Sequence, residues 1–197
     1  MIGLLPQTLK VGDHDYAIRS DFRDILTIIM AYNDKELSDE EKVFVCLHRI
    51  YKDLDKMPRD ETTYAAAIKA AMAFIECHLS SGKPSPKVVN WEKDEQLIFP
   101  AINKVAGREV RAVPYLHWWT FLGYFQAIDR DDLWGVVLTI RQKKAMRKKL
   151  EKHEQNFYIA NRELCSVDFI GEAESPEDQM RAIYESLLKE GGAGNVG

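Results

Sequence analysis

The sequence is poor in cysteine, glycine and proline, and it has no long uninterrupted apolar run. Its three cysteines stand far apart and form no C-x-x-C pair, so the sequence predicts neither a disulfide framework nor a cysteine zinc site. Only 11 glycines and 7 prolines argue against a collagen-like or low-complexity chain. The most apolar later stretch, residues 113–128, is interrupted by polar residues and falls short of the roughly 18 to 20 apolar residues of a membrane span. We therefore expect a folded protein with no membrane segment.

An excess of positive charge is also missing. The 27 basic residues stand against 31 acidic ones, so the formal net charge is -4 and the chain as a whole is not built to coat a phosphate backbone. Residues 1–6 carry a short apolar patch without a basic residue, which is too little for a secretory signal. We expect a protein that is not exported and that stays in a reducing cytoplasm.

Motifs that identify an enzyme are absent from the sequence. It contains no G-x-G-x-x-G and no G-x-S-x-G, and the Gly-Lys pair at 82–83 lacks the upstream glycine of a phosphate loop. His153 begins like a zinc-protease helix motif, but Phe157 stands where the second imidazole is needed. The acidic pairs 94–95 and 131–132 fall in the first turns of predicted helices, where they offset the helix dipole. We predict no catalytic, cofactor-binding or metal-binding residue.

Patterning predicts a mostly α protein, a multi-helix domain with a short N-terminal β-hairpin. Two alternating runs around Gly12 within residues 9–18 indicate the hairpin. Ser38 followed by Glu41 is the capping box of a second helix, and Pro114 suits the first position of a fifth. Apolar periodicity and caps predict helices over about 22–32, 38–51, 61–80, 91 or 92 to 106 with Gly107 as its stop, 114–125, 131 onward, and 175–190. Met30 of the first helix and Leu133 of the sixth are expected to face inward. Asn90 is the expected cap of the fourth helix, and Pro100 should kink or split that helix.

A breaker-rich segment divides the chain. Residues 80–86 hold three serines, a glycine and two prolines between helical patterns. We therefore predict an N-terminal subdomain of hairpin and helices, a linker, a C-terminal helical subdomain and a flexible tail. Their boundaries are 1–81, 82–90, 91–190 and 191–197.

The fifth predicted helix is almost wholly aromatic and apolar. Trp118 and Trp119 are adjacent, so they point about 100° apart on a helix and cannot share one pocket. One interpretation is core packing of both faces. The other is that an outer face, with one tryptophan and Tyr115 or Phe125, forms an assembly surface.

A basic run over residues 141–152 holds seven positive and one negative side chains. On a helix, Arg141, Lys144, Lys148 and Lys152 align on one stripe. The helix either breaks near residues 142–145 or continues and changes partners there. The stripe is either a solvated face or a docking surface for an acidic partner helix, with nucleic acid a less favoured partner.

Several of these segments carry a resemblance to a known family. Residues 91–94 (Trp-Glu-Lys-Asp), the pair 106–107, the Leu-His-Trp-Trp of 116–119 and the Ile-Arg pair 140–141 resemble a phage protein family of Gram-positive siphophages and prophages, named after gene product fifteen. The resemblance covers roughly residues 7–190. Its most specific element is 116–119, because two adjacent tryptophans after a histidine are rare.

The resemblance implies a place in tail morphogenesis, close to the tape-measure protein and similar to that of tail assembly chaperones. It supplies no catalytic or cofactor residues. We expect a non-enzymatic chaperone of the host cytoplasm that binds the tape-measure protein and self-associates; the alternatives are a structural tail component and a nucleic-acid binder acting through residues 141–152. The expected partner-binding residues are Tyr115, Trp118, Trp119, Phe125, Arg141, Lys144, Lys148 and Lys152.

Overall fold

The computed structural model describes residues 3–77 and 87–166. Within them the chain forms two compact units, one of residues 3–77 with 116–119 and the other of 87–115 with 120–166. The described part contains seven α-helices and one two-stranded hairpin, so the mostly α fold class is confirmed. The predicted terminal helix and the tail 191–197 lie outside the described residues, as does most of the predicted linker.

The helices and strands have the following bounds. They are β1 Thr8–Val11, β2 His14–Ala17, α1 Phe22–Asn33, α2 Asp39–Ile50, α3 Glu61–Ile75, α4 Glu95–Ala106, α5 Trp118–Gln126, α6 Leu133–Ala145 and α7 Lys152–Ala160. Short 3-10 turns cover Leu54–Lys56 and Val110–Ala112. Among the described residues, no helix combines the length and the apolar character that crossing a membrane requires.

The predicted hairpin is present. Strands β1 and β2 are antiparallel, with Thr8 opposite Ala17 and Val11 opposite His14. Gly12 in the two-residue turn has φ +59°, a left-handed conformation that glycine adopts without steric cost. The hairpin continues into an isolated bridge between Ile18 and Tyr51, which joins it to the end of α2.

In the first unit α1 packs on α2, α2 on α3, and α3 on β1. The capping box of α2 is confirmed: the Glu41 N–H donates to the Ser38 hydroxyl at 3.3 Å, and the Ser38 N–H donates to the Glu41 carboxylate at 2.8 Å. Ile25 and Ile28 of α1 are fully buried. The buried residues of α1, Phe22, Ile25 and Ile28, follow one another at steps of three, and Met30 does not belong to that series. Met30, which was expected to face inward, is therefore 44% exposed.

Helix α3 ends earlier than the expected residue 80. Its last residue is Ile75, and Cys77 takes a left-handed φ of +54° that closes the helix. The carbonyls of Phe74 and Ile75 accept side-chain donors from a distant segment. Hydrogen bonds from a distant segment thus add to the left-handed turn at Cys77 in ending α3.

In the second unit α4 packs on α6, and α6 on α7. Helix α4 begins at Glu95 rather than at 91 or 92, because Asn90 caps a separate turn by accepting the N–H groups of Glu92 and Lys93. Gly107 ends α4 with φ +67° as predicted, and α4 runs unbroken through Pro100, which was expected to kink or split it. Leu133, expected inward, is 52% exposed at the start of α6, where Trp134 is buried.

Candidate functional site

The Leu-His-Trp-Trp segment begins as extended chain, not as helix. Within the first unit, backbone groups of residues 116–118 bond to those of residues 20–22 at 2.7 and 3.0 Å. The Leu116 N–H also donates to the Asp21 carboxylate at 3.0 Å. These bonds need an extended backbone at 116 and 117, so α5 starts at Trp118 and the expected helix start at Pro114 is wrong.

Both adjacent tryptophans are anchored by their indole N–H groups. Nε1 of Trp118 donates to the Ile75 carbonyl and Nε1 of Trp119 to the Phe74 carbonyl, each at 2.8 Å. Carbonyls in the last turn of a helix have no partner within the helix, so the two indoles cap α3 from outside. The Trp119 ring also stacks on Phe74, with centroids 5.7 Å apart. Trp118 is 2% exposed and Trp119 is partly exposed, so the segment is held by packing and hydrogen bonds.

His117 is buried between these groups as a neutral ring. Its Nδ1 accepts the N–H of Trp119 at 3.1 Å, which leaves Nε2 to donate to the Pro6 carbonyl at 3.0 Å. Burial lowers the pKa of His117 below its ordinary value of 6.5, and the bond to Pro6 opposes that shift. A second proton would displace the Trp119 N–H from Nδ1. His117 therefore has a structural role at neutral pH.

The other two predicted aromatic residues have separate surroundings in the second unit. Tyr115 is 48% exposed. Phe125 is half-buried, with its ring centroid 5.0 Å from Trp91 and 6.4 Å from Trp134. Of these two residues, only Tyr115 is among the exposed side chains.

Arg141 lies inside the second unit rather than on an exposed stripe. All five of its N–H groups are used: two pair with Asp94 at 2.6 and 2.9 Å, one bonds to the Val88 carbonyl at 3.0 Å, and two bond to the Leu164 carbonyl at 2.6 and 3.0 Å. The side chains of Arg141 and Asp94 are each 4% exposed. Arg141 thus joins α6 to two other segments, and no part of its guanidinium remains for a partner.

The basic run changes direction after α6. Arg147 takes a left-handed φ of +55°, the N–H of Lys148 bonds to the Lys143 carbonyl at 2.7 Å, and the N–H of Arg147 bonds to the Lys144 carbonyl at 3.0 Å. This pair of bonds is a Schellman motif, which ends a helix and usually has glycine at the left-handed position. Of the two alternatives stated for this run, the structure shows the break, just after residues 142–145. Lys148 and Lys152 are therefore not on the helix that carries Arg141.

The cations of this run have two kinds of environment. Lys143 bonds to the buried Glu154 at 2.5 Å, and the Lys144 ammonium lies 3.6 Å from the Tyr158 ring centroid. Next to them Met146 is 48% exposed. The remaining cations are exposed and have no carboxylate partner in the described part of the chain: Arg147, Lys148, Lys149 and Lys152. We call these four residues the basic turn.

Two features of this region were missed by sequence reasoning. Asp94 was assigned to a helix dipole, but it is the buried partner of Arg141, and nothing in the local sequence indicates that pairing. The start of α7 did have a signal, because Glu151 and Glu154 form a capping box that the spacing E-x-x-E could have suggested.

The thiols of the described residues are unsuited to nucleophilic chemistry at neutral pH. Burial raises the pKa of Cys46 to about 12 and that of Cys77 to about 11, so both stay protonated. Within residues 3–77 and 87–166, no group of three or more His, Cys, Asp or Glu side chains is arranged to hold a metal ion.

Comparison with known proteins gives one match. The model of a family described as "Bacteriophage Gp15 protein" matches residues 1–166 of this chain. Neither the curated proteins nor the solved structures contain a match. The match includes the Leu-His-Trp-Trp segment, both partners of the Asp94–Arg141 pair and the basic turn.

Proposed function

The chain belongs to the bacteriophage Gp15 protein family, and from this premise we propose that it is a non-enzymatic protein of phage tail assembly. In this proposal it acts in the host cytoplasm as a chaperone, and it binds the tape-measure protein while tail subunits polymerise around that protein. The tail-assembly role is taken from the family resemblance, and the surface of the second unit supplies a place for the partner.

The observation that carries the proposal is the basic turn. Four exposed cations without carboxylate partners in the described residues follow Met146 within six positions of the chain, and Met146 is itself 48% exposed. An acidic, amphipathic helix offers the complementary features, because its carboxylates pair with the cations and its apolar stripe covers the methionine. Such a surface binds a partner helix without a deep pocket.

The expected partner-binding residues fall into two groups, those at the proposed contact surfaces and those that support the structure behind them. Lys148 and Lys152 belong to the proposed contact surface, and Lys144 borders it through its packing on Tyr158. Tyr115 is an additional exposed ring for a partner. The other four expected residues are proposed to act by positioning the structure behind these surfaces: Trp118, Trp119, Phe125 and Arg141.

Co-expression with the tape-measure protein encoded beside this chain tests the proposal. We expect the tape-measure protein to become more soluble and to elute with this chain in one complex. If its solubility does not change and no complex elutes, the chaperone function is wrong.

A charge reversal locates the contact. We expect the double variant Lys148→Glu with Lys152→Glu to lose most of the co-solubilising effect, because the variant repels an acidic helix. The double variant Lys10→Glu with Lys69→Glu is the matched control, since it makes the same change in net charge at exposed positions. Equal losses in both variants would mean that the effect depends on net charge and not on the basic turn.

Two further measurements separate the alternatives. A chaperone should be missing from purified virions, whereas mass spectrometry would detect a structural tail component there. A nucleic-acid binder would shift DNA at low salt with an affinity that falls steeply as salt rises. Sedimentation of the purified chain tests the proposed self-association.

A further inference from the structure

The first unit contains an open cleft whose lining is rich in positive charge. Its volume is about 520 Å³, within the range of roughly 300 to 1,000 Å³ typical of ligand sites. Arg19, Lys52 and Arg59 line it together with one carboxylate, that of Asp55, and the ring of Tyr64. A positive cleft on a chain with a net charge of -4 is a local feature that its composition does not explain.

One wall of the cleft is held rigidly by Arg19. A single guanidinium nitrogen of Arg19 donates to the carbonyls of His48, Arg49 and Tyr51 at 3.0, 3.3 and 2.8 Å. These carbonyls form the C-terminal end of α2, where the helix dipole is negative and a cation is stabilising. The end of α2 thus partly offsets the charge of Arg19, and three hydrogen bonds hold its side chain against that end.

The other two cations have no such balance. Lys52 and Arg59 are exposed, and within the described ranges neither has a carboxylate partner or a carbonyl acceptor for its side chain. The backbone of Lys52 is fixed, because its N–H donates to the Ala17 carbonyl at 2.9 Å. The hydroxyl of Tyr64 also has no hydrogen-bond partner among the described residues. The cleft therefore offers two cations and a hydroxyl donor to an anionic ligand.

We propose that this cleft binds an acidic peptide segment of a partner protein through two carboxylates, one at Lys52 and one at Arg59. Two singly charged carboxylates on a flexible peptide match two cations that stand on different segments of the chain. A phosphate dianion is disfavoured, because the Asp55 carboxylate and residues at the negative end of α2 also line the cleft. The Asp55 carboxylate can accept an N–H from the peptide backbone, and Tyr64 can donate to a carboxylate.

The inference concerns residues outside the basic turn, and its test contains no tape-measure protein. A fluorescently labelled hexaglutamate peptide is titrated with the full chain at low salt, and its anisotropy is measured. We expect saturable binding that weakens by about tenfold or more in the double variant Lys52→Glu with Arg59→Glu, since two charge-assisted contacts become repulsive. Mass-spectrometric mapping of lysine acetylation should show protection of Lys52 when the peptide is present.

A matched variant controls for net charge. Lys10→Glu with Lys69→Glu should bind the peptide nearly as well as the unchanged chain. The variant Lys148→Glu with Lys152→Glu is titrated beside it to measure how much of the peptide the basic turn binds. The milder pair Lys52→Gln with Arg59→Gln, checked for folding by circular dichroism, should weaken binding in the same direction but less.

Several results would overturn the proposal. One is no saturable binding by the unchanged chain, and another is unchanged binding by the two cleft variants. Loss of binding in the Lys148→Glu with Lys152→Glu variant alone would assign the peptide to the basic turn. In a last control, inorganic phosphate is added at a concentration equal to that of the peptide carboxylates. If phosphate displaces the peptide and protects Lys52 from acetylation, the cleft is a phosphate site and not a peptide site.

Discussion

In each unit, side-chain N–H groups bond to backbone carbonyls from a distant part of the chain. In the first unit the indoles of Trp118 and Trp119 bond to the end of α3, 43 and 45 residues away in sequence. In the second unit the guanidinium of Arg141 reaches Asp94, 47 residues away, and Val88, 53 residues away. Both arrangements close long loops, so both fix tertiary structure that local sequence cannot.

The difference between them is charge. An indole N–H is neutral and sits on a large apolar ring, so a lost hydrogen bond costs only the desolvation of one carbonyl. A buried guanidinium is stable only while its carboxylate and its carbonyls are all in place. The second unit should therefore be more sensitive to a single substitution than the first.

Replacement of Arg141 should give the largest effect. We expect Arg141→Met to lower the free energy of unfolding by about 3 to 5 kcal/mol, because Asp94 would be left as a buried unpaired charge. Chemical denaturation followed by circular dichroism measures the loss. A loss below about 1 kcal/mol would show that water or another cation reaches Asp94.

Removal of both charges sharpens this test. In many proteins a buried ion pair can be replaced by apolar residues at little cost. Here we expect the double variant Arg141→Met with Asp94→Leu to regain only part of the stability, because the Val88 and Leu164 carbonyls still lose their donors, at about 1 kcal/mol or more each. Full recovery would mean that the pair matters only for its own charges.

The indole bonds should give an intermediate effect that differs between the two tryptophans. We expect Trp118→Phe to cost about 1 to 3 kcal/mol, since the Ile75 carbonyl becomes unsatisfied in a buried position. Trp119→Phe should cost less than Trp118→Phe, because Trp119 is partly exposed and water can replace its N–H. Denaturation of the two variants side by side tests this order, and a reversed order would contradict it.

Acidification should weaken the first unit through His117. Its pKa in the folded protein lies below the ordinary value of 6.5, so the unfolded chain binds the proton more tightly. The stabilisation is fully present above about pH 6.5 and falls as the pH drops through the lowered pKa. Denaturation at several pH values measures the slope between pH 7 and 5. The variant His117→Gln should flatten that slope, and an unchanged slope would assign it to other groups.

Charge reversal at the basic turn should give the smallest effect on stability. We expect Lys148→Glu with Lys152→Glu to change the free energy of unfolding by less than about 1 kcal/mol, because both side chains are exposed and unpaired among the described residues. The same variant is expected to lose partner binding. A large loss of stability would mean that the basic turn has a structural role instead.

The parts of the fold that depend on near neighbours in the sequence could be predicted. The hairpin turn at Gly12, the capping box at Ser38 and the stop at Gly107 follow from residues within a few positions, and all three are present. The predictions for the start of α5 and the end of α3 were wrong because each end depends on hydrogen bonds to a distant segment. The Trp118 and Trp119 indoles hold the end of α3, and pairing with residues 20–22 keeps the chain before Trp118 extended.

The candidate site also has features that the sequence could predict and features that it could not. The local excess of cations at 141–152 was visible in the sequence, but their environments were not. A stripe drawn on one helix placed Arg141 beside Lys148, whereas the left-handed turn at Arg147 separates them and a carboxylate 47 residues away buries Arg141. A basic side chain is therefore buried and paired at Arg141 and exposed at Arg147 and Lys148.

The helical class, the hairpin, the caps at Ser38 and Gly107 and the position of the basic run could be predicted, because each depends on propensities and hydrogen bonds between near neighbours. Which tryptophan is buried, which arginine is paired and which cations are exposed could be seen only in the folded structure of the described residues. Those outcomes depend on the desolvation of side chains by segments more than forty residues away, which no local pattern records.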